Sequence, residues 1–364
     1  MKRHVLTKRE RKPTKFDALN VFAAWAQDER VAMTKGDAIP RFAEFLKESL
    51  KESLQSDTLL YGNRTQAMFE AVVANLGAVQ LVKSEDSGDI YNADATLEIP
   101  DTRIILADGQ NLLVETKNCH KDWNKPYRIK AAYLDGLVRY ASLVRCDLRI
   151  AIFWSQQQRW TLIPPSALQA NGKSLQIEFG DALMANEMGT LGDKLIGCGF
   201  PVTLRLYFEK RDGKLRMQGD KHRYFINKRE ITQANEKRLL FFLMVWGEWE
   251  MNGNVLEEDA SKRIVDITFI PNDEIRRGDP DSGDLCVLTE FLSTVLSRYW
   301  VQFTSNEDGK FKTMLPTREV WNTRLLEITE DTSKSFAVAT VVSKAQHAAE
   351  VGVDEANAEA SADA

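Results

Sequence analysis

The sequence is poor in the residues that build most zinc and redox sites. Its 364 residues include only 4 cysteines and 4 histidines. No two cysteines form a Cys-x-x-Cys pair, which argues against a zinc ribbon and a disulfide framework. So few histidines also argue against zinc hydrolases and histidine-based nucleases. We therefore expect reduced thiols and a cytoplasmic location.

Long apolar runs are missing as well. The longest uninterrupted run is Leu239–Trp246, far shorter than the roughly 20 residues that a membrane-spanning helix needs. The basic N-terminus has no apolar core behind it, so no secretory signal is predicted. Neither a Gly-x-Ser-x-Gly element nor a glycine-rich dinucleotide loop occurs. We expect a soluble protein without a membrane partner.

Charge is present but unevenly distributed. The formal net charge is −5, and residues 345–364 alone carry five acidic residues and no Lys or Arg, so the rest of the chain sums to zero. Residues 1–15 carry seven Lys or Arg against one Glu. We predict a basic disordered arm at 1–15 and an acidic disordered tail at 345–364. Because the two ends cancel, the net charge does not exclude a nucleic-acid partner.

Between these ends the hydrophobic pattern changes its period. A helical N-terminal segment is predicted over 16–54. Over 55–170 the order helix, strand, hairpin, helix, strand predicts a mixed α/β unit. Its expected helices cover 64–76 and 127–145, and its expected strands cover 79–83, 102–106, 112–116, 148–154 and 160–163.

A second unit is expected over 195–340. Two apolar runs about Arg211–Gly213 predict a hairpin over 202–217. Helices are predicted at 236–249 and 285–300, with a strand at 263–270. The pattern indicates an α+β domain for recognition, and a second copy or a partner protein is expected to bind through it.

The informative segment is the predicted hairpin about Asp108–Gly109. Residues two apart in a strand share a face, so Glu115 and Lys117 on the return strand project together. Antiparallel folding brings Asp101 back beside them. Asp94 is the alternative second carboxylate, although it requires a longer detour of the chain.

Two carboxylates and an ammonium group suit divalent-metal phosphodiester chemistry. Carboxylate oxygens hold Mg²⁺, which activates the nucleophile and neutralises developing negative charge. A nearby lysine can position the attacking water or stabilise the same charge. The alternative interpretation is an ordinary ion pair on a solvated edge strand.

The segment Ile99-Pro-Asp-Thr-Arg through Val114-Glu-Thr-Lys117 resembles the PD-(D/E)XK nuclease superfamily, which includes restriction endonucleases and archaeal Holliday-junction resolvases. The resemblance implies a restriction endonuclease-like core. It also implies that Asp101 and Glu115 bind Mg²⁺ or Mn²⁺ with the Thr116 carbonyl, and that Lys117 is the catalytic lysine. Glu70, in the first core helix, would be an accessory metal or water ligand; its alternative is a helix-surface charge.

Basic residues follow the catalytic strand and alternate with Trp123 and Tyr127. Positive charge interleaved with aromatic rings is typical of contacts to a nucleic-acid backbone. The alternative is a solvated loop whose two aromatic rings pack inward. The predicted DNA-binding residues are Lys121, Lys125, Arg128 and Lys130.

These observations predict a magnesium-dependent endonuclease that hydrolyses DNA. Restriction, phage defence or DNA repair are the expected settings, by family analogy alone. One alternative is a non-catalytic module that binds nucleic acid or protein and retains the nuclease fold. Another is a structural or assembly protein in which the hairpin is ordinary sheet.

Overall fold

The computed structural model describes residues 17–55, 57–86, 94–122, 124–199, 201–219, 221–246, 249–271, 287–306, 312–313 and 336–340. The predicted basic arm and acidic tail lie outside these ranges. The described residues form a mixed α/β fold. None of their helices is long and apolar enough to span a membrane.

The chain begins with three helices, α1 (Asp17–Asp28), α2 (Ala38–Gln55) and α3 (Asp57–Leu76). The helical prediction for the N-terminal segment is thus confirmed over the described residues. Trp25 and Phe42 pack α1 against α2 in a small apolar cluster. The helix predicted from residue 64 begins seven residues earlier, at Asp57.

A five-stranded mixed sheet follows, which we call the central sheet. Its order is β1-β2-β3-β5-β6. All neighbours pair antiparallel except β3 and β5, which are parallel. Gly109 adopts a left-handed φ of 91° in the predicted turn between β2 and β3, a conformation that glycine adopts without strain. The strands are β1 (Val79–Ser84), β2 (Thr102–Leu106), β3 (Asn111–Cys119), β5 (Asp147–Trp154) and β6 (Arg159–Ile163).

The crossover between β3 and β5 differs from its prediction. The helix expected at 127–145 is α4 (Ala131–Leu143), and residues 127–130 form strand β4 (Tyr127–Lys130) instead. β4 pairs with β8 (Ser174–Ile177), which also pairs with β7 (Gln169–Asn171). We call these three strands the small sheet. The prediction was wrong because the partner of β4 lies more than 40 residues away, where local periodicity carries no information about it.

The C-terminal half contains a six-stranded and a three-stranded sheet. Their orders are β13-β12-β10-β15-β14, with β11 on β10, and β16-β9-β17. The predicted hairpin over 202–217 is confirmed as β10 and β11. The bounds are α5 (Phe179–Met184), β9 (Lys194–Gly199), β10 (Val202–Arg211), β11 (Lys214–Met217), β12 (Arg223–Ile226), β13 (Arg229–Ile231), α6 (Ala234–Trp246), β14 (Trp249–Glu258), β15 (Lys262–Pro271), β16 (Val287–Phe291), α7 (Leu292–Thr304) and β17 (Phe336–Thr340).

Two helices of this half are shorter at one end than predicted. The helix expected at 285–300 is α7 alone, because Val287–Phe291 pairs with β9 as a strand. The helix expected to reach Trp249 ends at Trp246, and Trp249 starts β14. In both cases one apolar run includes a helix end and the adjoining strand end. Only the pairing of that strand with another strand decides where the helix begins or ends.

Helices cover the two faces of the central sheet. Phe69 and Val72 of α3 pack with one face, in an apolar core that continues to Leu240 and Trp300 of the C-terminal half. Leu134 and Leu137 of α4 pack on the other face, in a separate apolar core. Side chains on β3 therefore meet α3 or α4 according to their position in the strand.

Candidate functional site

Alternation along β3 decides which helix each side chain meets. Val114 belongs to the core under α3, and Leu113 belongs to the core under α4. Glu115 and Lys117 share the face of Leu113 and therefore lie on the α4 side. On the α3 side, Asn118 Nδ2 donates a 2.9 Å hydrogen bond to Thr65 Oγ1.

Glu115 is the centre of the candidate site. Its side chain is only 1% exposed. The Tyr133 hydroxyl, in the first turn of α4, donates to Glu115 Oε1 at 2.6 Å, and the Lys117 ammonium pairs with the same oxygen. Lys117 Nζ also lies 4.9 Å from the centre of the Tyr133 ring. The other oxygen, Oε2, is buried and has no hydrogen-bond partner among the described residues.

Asp101 is held beside Glu115 by the backbone of β3. It immediately precedes β2, and its Oδ2 accepts a 2.7 Å hydrogen bond from the Thr116 N–H. Burial and the Glu115 carboxylate raise the pKa of Asp101 to about 7. Burial and Glu115 also raise the pKa of Tyr133, so its hydroxyl keeps its proton and remains a donor. The predicted convergence of Asp101, Glu115 and Lys117 is therefore present.

With both carboxyl groups ionised, the donor set has more negative than positive charge, and this fits a divalent cation. Lys117 pairs with Glu115, Asp101 adds a second carboxyl group that interacts with Glu115, and Glu115 Oε2 is an unused hard acceptor. In a β-strand the N–H and the C=O of one residue point towards the same neighbouring strand. Because the Thr116 N–H points to Asp101, the Thr116 carbonyl also lies on the Asp101 side of β3. Among the described residues, no group of three or more His, Cys, Asp or Glu side chains converges. A magnesium ion here would thus be held by Asp101, Glu115 and the Thr116 carbonyl, with water as the remaining ligands.

Glu70 lies on the other side of the sheet from Glu115 and Lys117. The Thr102 hydroxyl, on the α3 face of β2, donates to Glu70 Oε1 at 3.4 Å, and Gln66 Nε2 donates to the same oxygen at 3.4 Å. Gln66 Nε2 also lies 3.5 Å from the Asp101 carbonyl oxygen. Glu70 is therefore near the backbone of Asp101, and its role as an accessory ligand stays a prediction.

Asp94, the alternative carboxylate, occupies a loop beside α4. Its Oδ1 accepts hydrogen bonds from the Thr96 N–H at 2.9 Å and from the Thr96 hydroxyl. Its Oδ2 lies 3.5 Å from Arg139 Nε. The hydrogen bonds from Thr96 lower the pKa of Asp94. These contacts occupy both oxygens, whereas Asp101 is in contact with the strand that carries Glu115.

The four predicted DNA-binding residues are exposed. Lys121 and Lys125 lie in the loop after β3, where Lys125 Nζ pairs with Asp122 at 3.0 Å. Arg128 and Lys130 lie on the outer face of β4, and Arg128 Nε donates to Gln176 Oε1 at 3.2 Å. Tyr127 lies on the inner face and packs with the α4 core; Trp123 lies outside the described residues.

Two polar side chains of the site were not predicted from the sequence. Tyr133 looked like one more apolar position of a helix, yet it holds Glu115. The signal that could have found it is topological: the crossover from β3 to parallel β5 places α4 over the face that carries Glu115. Gln66 gave no signal, because a glutamine on a helix is usually exposed.

Comparisons with known proteins show a partial likeness to a solved structure. No model of a known protein family matches the chain, and no curated protein matches it. Among solved structures, the chain is similar to a Holliday junction resolvase of the archaeal hyperthermophile Archaeoglobus fulgidus, with 18% sequence identity over 29% of this chain and 81% of that chain, and a TM-score of 0.24. Function must therefore be inferred from the chain's own side chains.

Proposed function

We propose that this chain is a divalent-metal-dependent endonuclease that hydrolyses phosphodiester bonds of DNA. The observation that carries the proposal is the buried Glu115, with one unpartnered oxygen, beside Asp101 and Lys117. A buried carboxylate oxygen without a donor is unfavourable unless a cation compensates it. The proposed core is restriction endonuclease-like, with α3 and α4 on the two faces of the central sheet.

When bound, the metal would supply Lewis acidity to a phosphoryl oxygen and to water. Lys117 would place its ammonium group near the attacking water and stabilise negative charge that develops on the phosphate. Tyr133 would orient Glu115 through its hydroxyl and limit the positions of Lys117 through its ring. The Thr116 N–H would hold the Asp101 side chain in its position.

The outer face of the small sheet is the proposed contact for the DNA backbone. Across its strands Arg128 pairs in register with Gln176, and Lys130 with Ser174. Lys173, in the turn between β7 and β8, is also exposed. The three strands contain no Asp or Glu, so nothing in them opposes phosphate binding. Lys130 lies three residues before Tyr133, which places this face next to the candidate site along the chain.

The test is cleavage of supercoiled plasmid and of single-stranded DNA with Mg²⁺, with Mn²⁺ and with EDTA. We expect the wild-type protein to cleave only with metal, and Lys117→Ala to be slower by at least about a hundredfold because it lacks the charge that stabilises the transition state. Lys83→Ala, an exposed lysine on β1 of the same sheet, is the matched control and should cleave like the wild type. Cleavage that survives in Lys117→Ala would contradict the proposal.

Metal binding gives a second readout that does not depend on finding the right DNA. We expect calorimetry with Mn²⁺ to show binding to the wild type and no binding to Glu115→Gln, because the amide removes one anionic ligand. Metal binding without cleavage would mean that the DNA substrate was not the right one. Absence of both would favour a module that binds nucleic acid or protein without catalysis.

A further inference from the structure

A second concave site lies in the C-terminal half, away from the residues of the candidate nuclease site in sequence. It is a cleft of about 280 Å³ between α6, α7 and the start of β12. Its walls are mainly aromatic, and cationic side chains stand among them. The lining residues are His222, Tyr224, Lys237, Arg238, Phe241, Phe242 and Tyr299.

Aromatic rings form one wall of the cleft, and one of these rings is exposed to solvent. Phe242 is buried, and its ring centre lies 5.1 Å from that of Tyr299 at an interplanar angle of 68°. Phe241 is next to it in α6, yet its side chain is 46% exposed. A phenylalanine so exposed beside a buried aromatic pair leaves ring surface for a planar ligand to stack on.

The charges around this wall have one sign. Neither Lys237 nor Arg238 has an ion-pair partner among the described residues, and none of the described Asp or Glu residues lines the cleft. His222 Nδ1 lies 2.9 Å from the Gly219 carbonyl oxygen, which can only accept a hydrogen bond. Nδ1 therefore donates this hydrogen bond. The cleft thus offers aromatic surface together with positive charge that no described acidic residue pairs with.

We propose that this cleft binds one nucleotide of a single-stranded DNA segment. Its base would stack in the aromatic cleft and its phosphate would meet Lys237 and Arg238. The volume is at the low end for a ligand site, which suits one planar base better than a length of folded or extended peptide. The choice of a nucleic acid over an acidic aromatic peptide rests on the proposed nuclease function.

The test is fluorescence anisotropy of a labelled oligothymidylate with the full chain in EDTA, so that cleavage cannot occur. We expect Phe241→Ala to weaken binding about tenfold, the effect that follows from removing one base-stacking ring. We expect the double variant Lys237→Gln, Arg238→Gln to weaken binding. It should also reduce the slope of log affinity against log salt by roughly 0.7 for each phosphate that the variant no longer neutralises.

Two matched variants control for changes outside the cleft. Val245→Ala removes an exposed apolar side chain one turn along α6, and Arg216→Gln removes an exposed cation on β11. Both should bind like the wild type. Circular dichroism should show that all variants keep the same helix content.

Three outcomes would overturn the proposal. They are no binding by the wild type, equal binding by the cleft variants, and competition by an acidic tyrosine-containing peptide but not by thymidine monophosphate. Because the assay contains no metal, failure of the nuclease proposal would appear only in the cleavage assay. The two proposals can therefore fail separately.

Discussion

Between pH values of about 4 and 7, Asp101 keeps a proton in the folded state that an exposed aspartate would lose. Burial and Glu115 raise its pKa from the ordinary 3.8 to about 7. Between these values the metal-free folded state binds more protons than the unfolded state, so the free energy of unfolding should fall as pH rises from about 4 to 7. We expect Asp101→Asn to reduce this fall, as measured by urea denaturation in EDTA across that pH range.

Another buried aspartate gives a contribution of the same sign. Burial raises the pKa of Asp193 to about 6, so the difference between wild type and Asp101→Asn isolates the residue of interest. Asp94→Asn is the partly exposed control and should not reduce the fall, because the pKa of Asp94 is lowered rather than raised. An unchanged pH dependence in Asp101→Asn would show that Asp101 is ionised in the metal-free protein.

At the residue scale, most of the candidate site could be predicted from the sequence. The two-residue period of a strand puts Glu115 and Lys117 on one face, and a turn at Asp108–Gly109 returns Asp101 to them. Tyr133 could not be predicted as a donor to Glu115, because a tyrosine within an apolar stripe has the pattern of a core residue. Its role follows only from the packing of α4 on the central sheet.

At the element scale, the missed features are strands that find their partners far along the chain. The residues of β4 were predicted as the start of the helix at 127–145, and those of β16 as the start of the helix at 285–300. Each of these strands has only four or five residues, which are too few to separate a helical from an extended pattern. Pairing with β8 and with β9 decides the outcome, and no local pattern encodes that pairing. The Asp-Gly hairpin was predictable because its two strands are joined by the turn itself.

The N-terminus of α7 depends on a side chain from outside the helix. Asp193, just before β9, accepts hydrogen bonds from the Ser293 N–H at 2.9 Å and from the Ser293 hydroxyl at 2.6 Å. We expect Asp193→Ala to lower the free energy of unfolding by about 2 kcal/mol, since it removes a helix cap and leaves a buried donor unpaired. Urea denaturation at pH 8, where Asp193 is ionised, measures this change.

An exposed acidic residue provides the comparison for that variant. Asp181, in the first turn of α5, is exposed, and Asp181→Ala should change stability by less than about 0.5 kcal/mol. Equal effects of the two substitutions would mean that α7 does not need Asp193 as its cap.

At the scale of the whole molecule, the apolar core under α3 is shared by the central sheet and the C-terminal half. Polar contacts cross between them too. Arg159 Nη1 pairs with Glu290 of β16, and the Trp160 indole N–H donates to Ser297 Oγ of α7 at 2.9 Å. The division into units at 55–170 and 195–340 stays a prediction. The shared core itself could not be predicted, because a hydrophobic pattern reveals each element's apolar face but not its partner.

Shared packing should make the two halves lose stability together. Ser297→Ala leaves the buried Trp160 N–H without its acceptor, which costs about 1–3 kcal/mol. We expect amide hydrogen exchange to accelerate in β5 as much as in α7, because both would open in one cooperative unit. Ser142→Ala in α4 removes a similar hydrogen bond at an exposed position, from a side chain to the carbonyl four residues back. It should change amide hydrogen exchange in neither β5 nor α7. Acceleration confined to α7 would show instead that the C-terminal half opens independently of the central sheet.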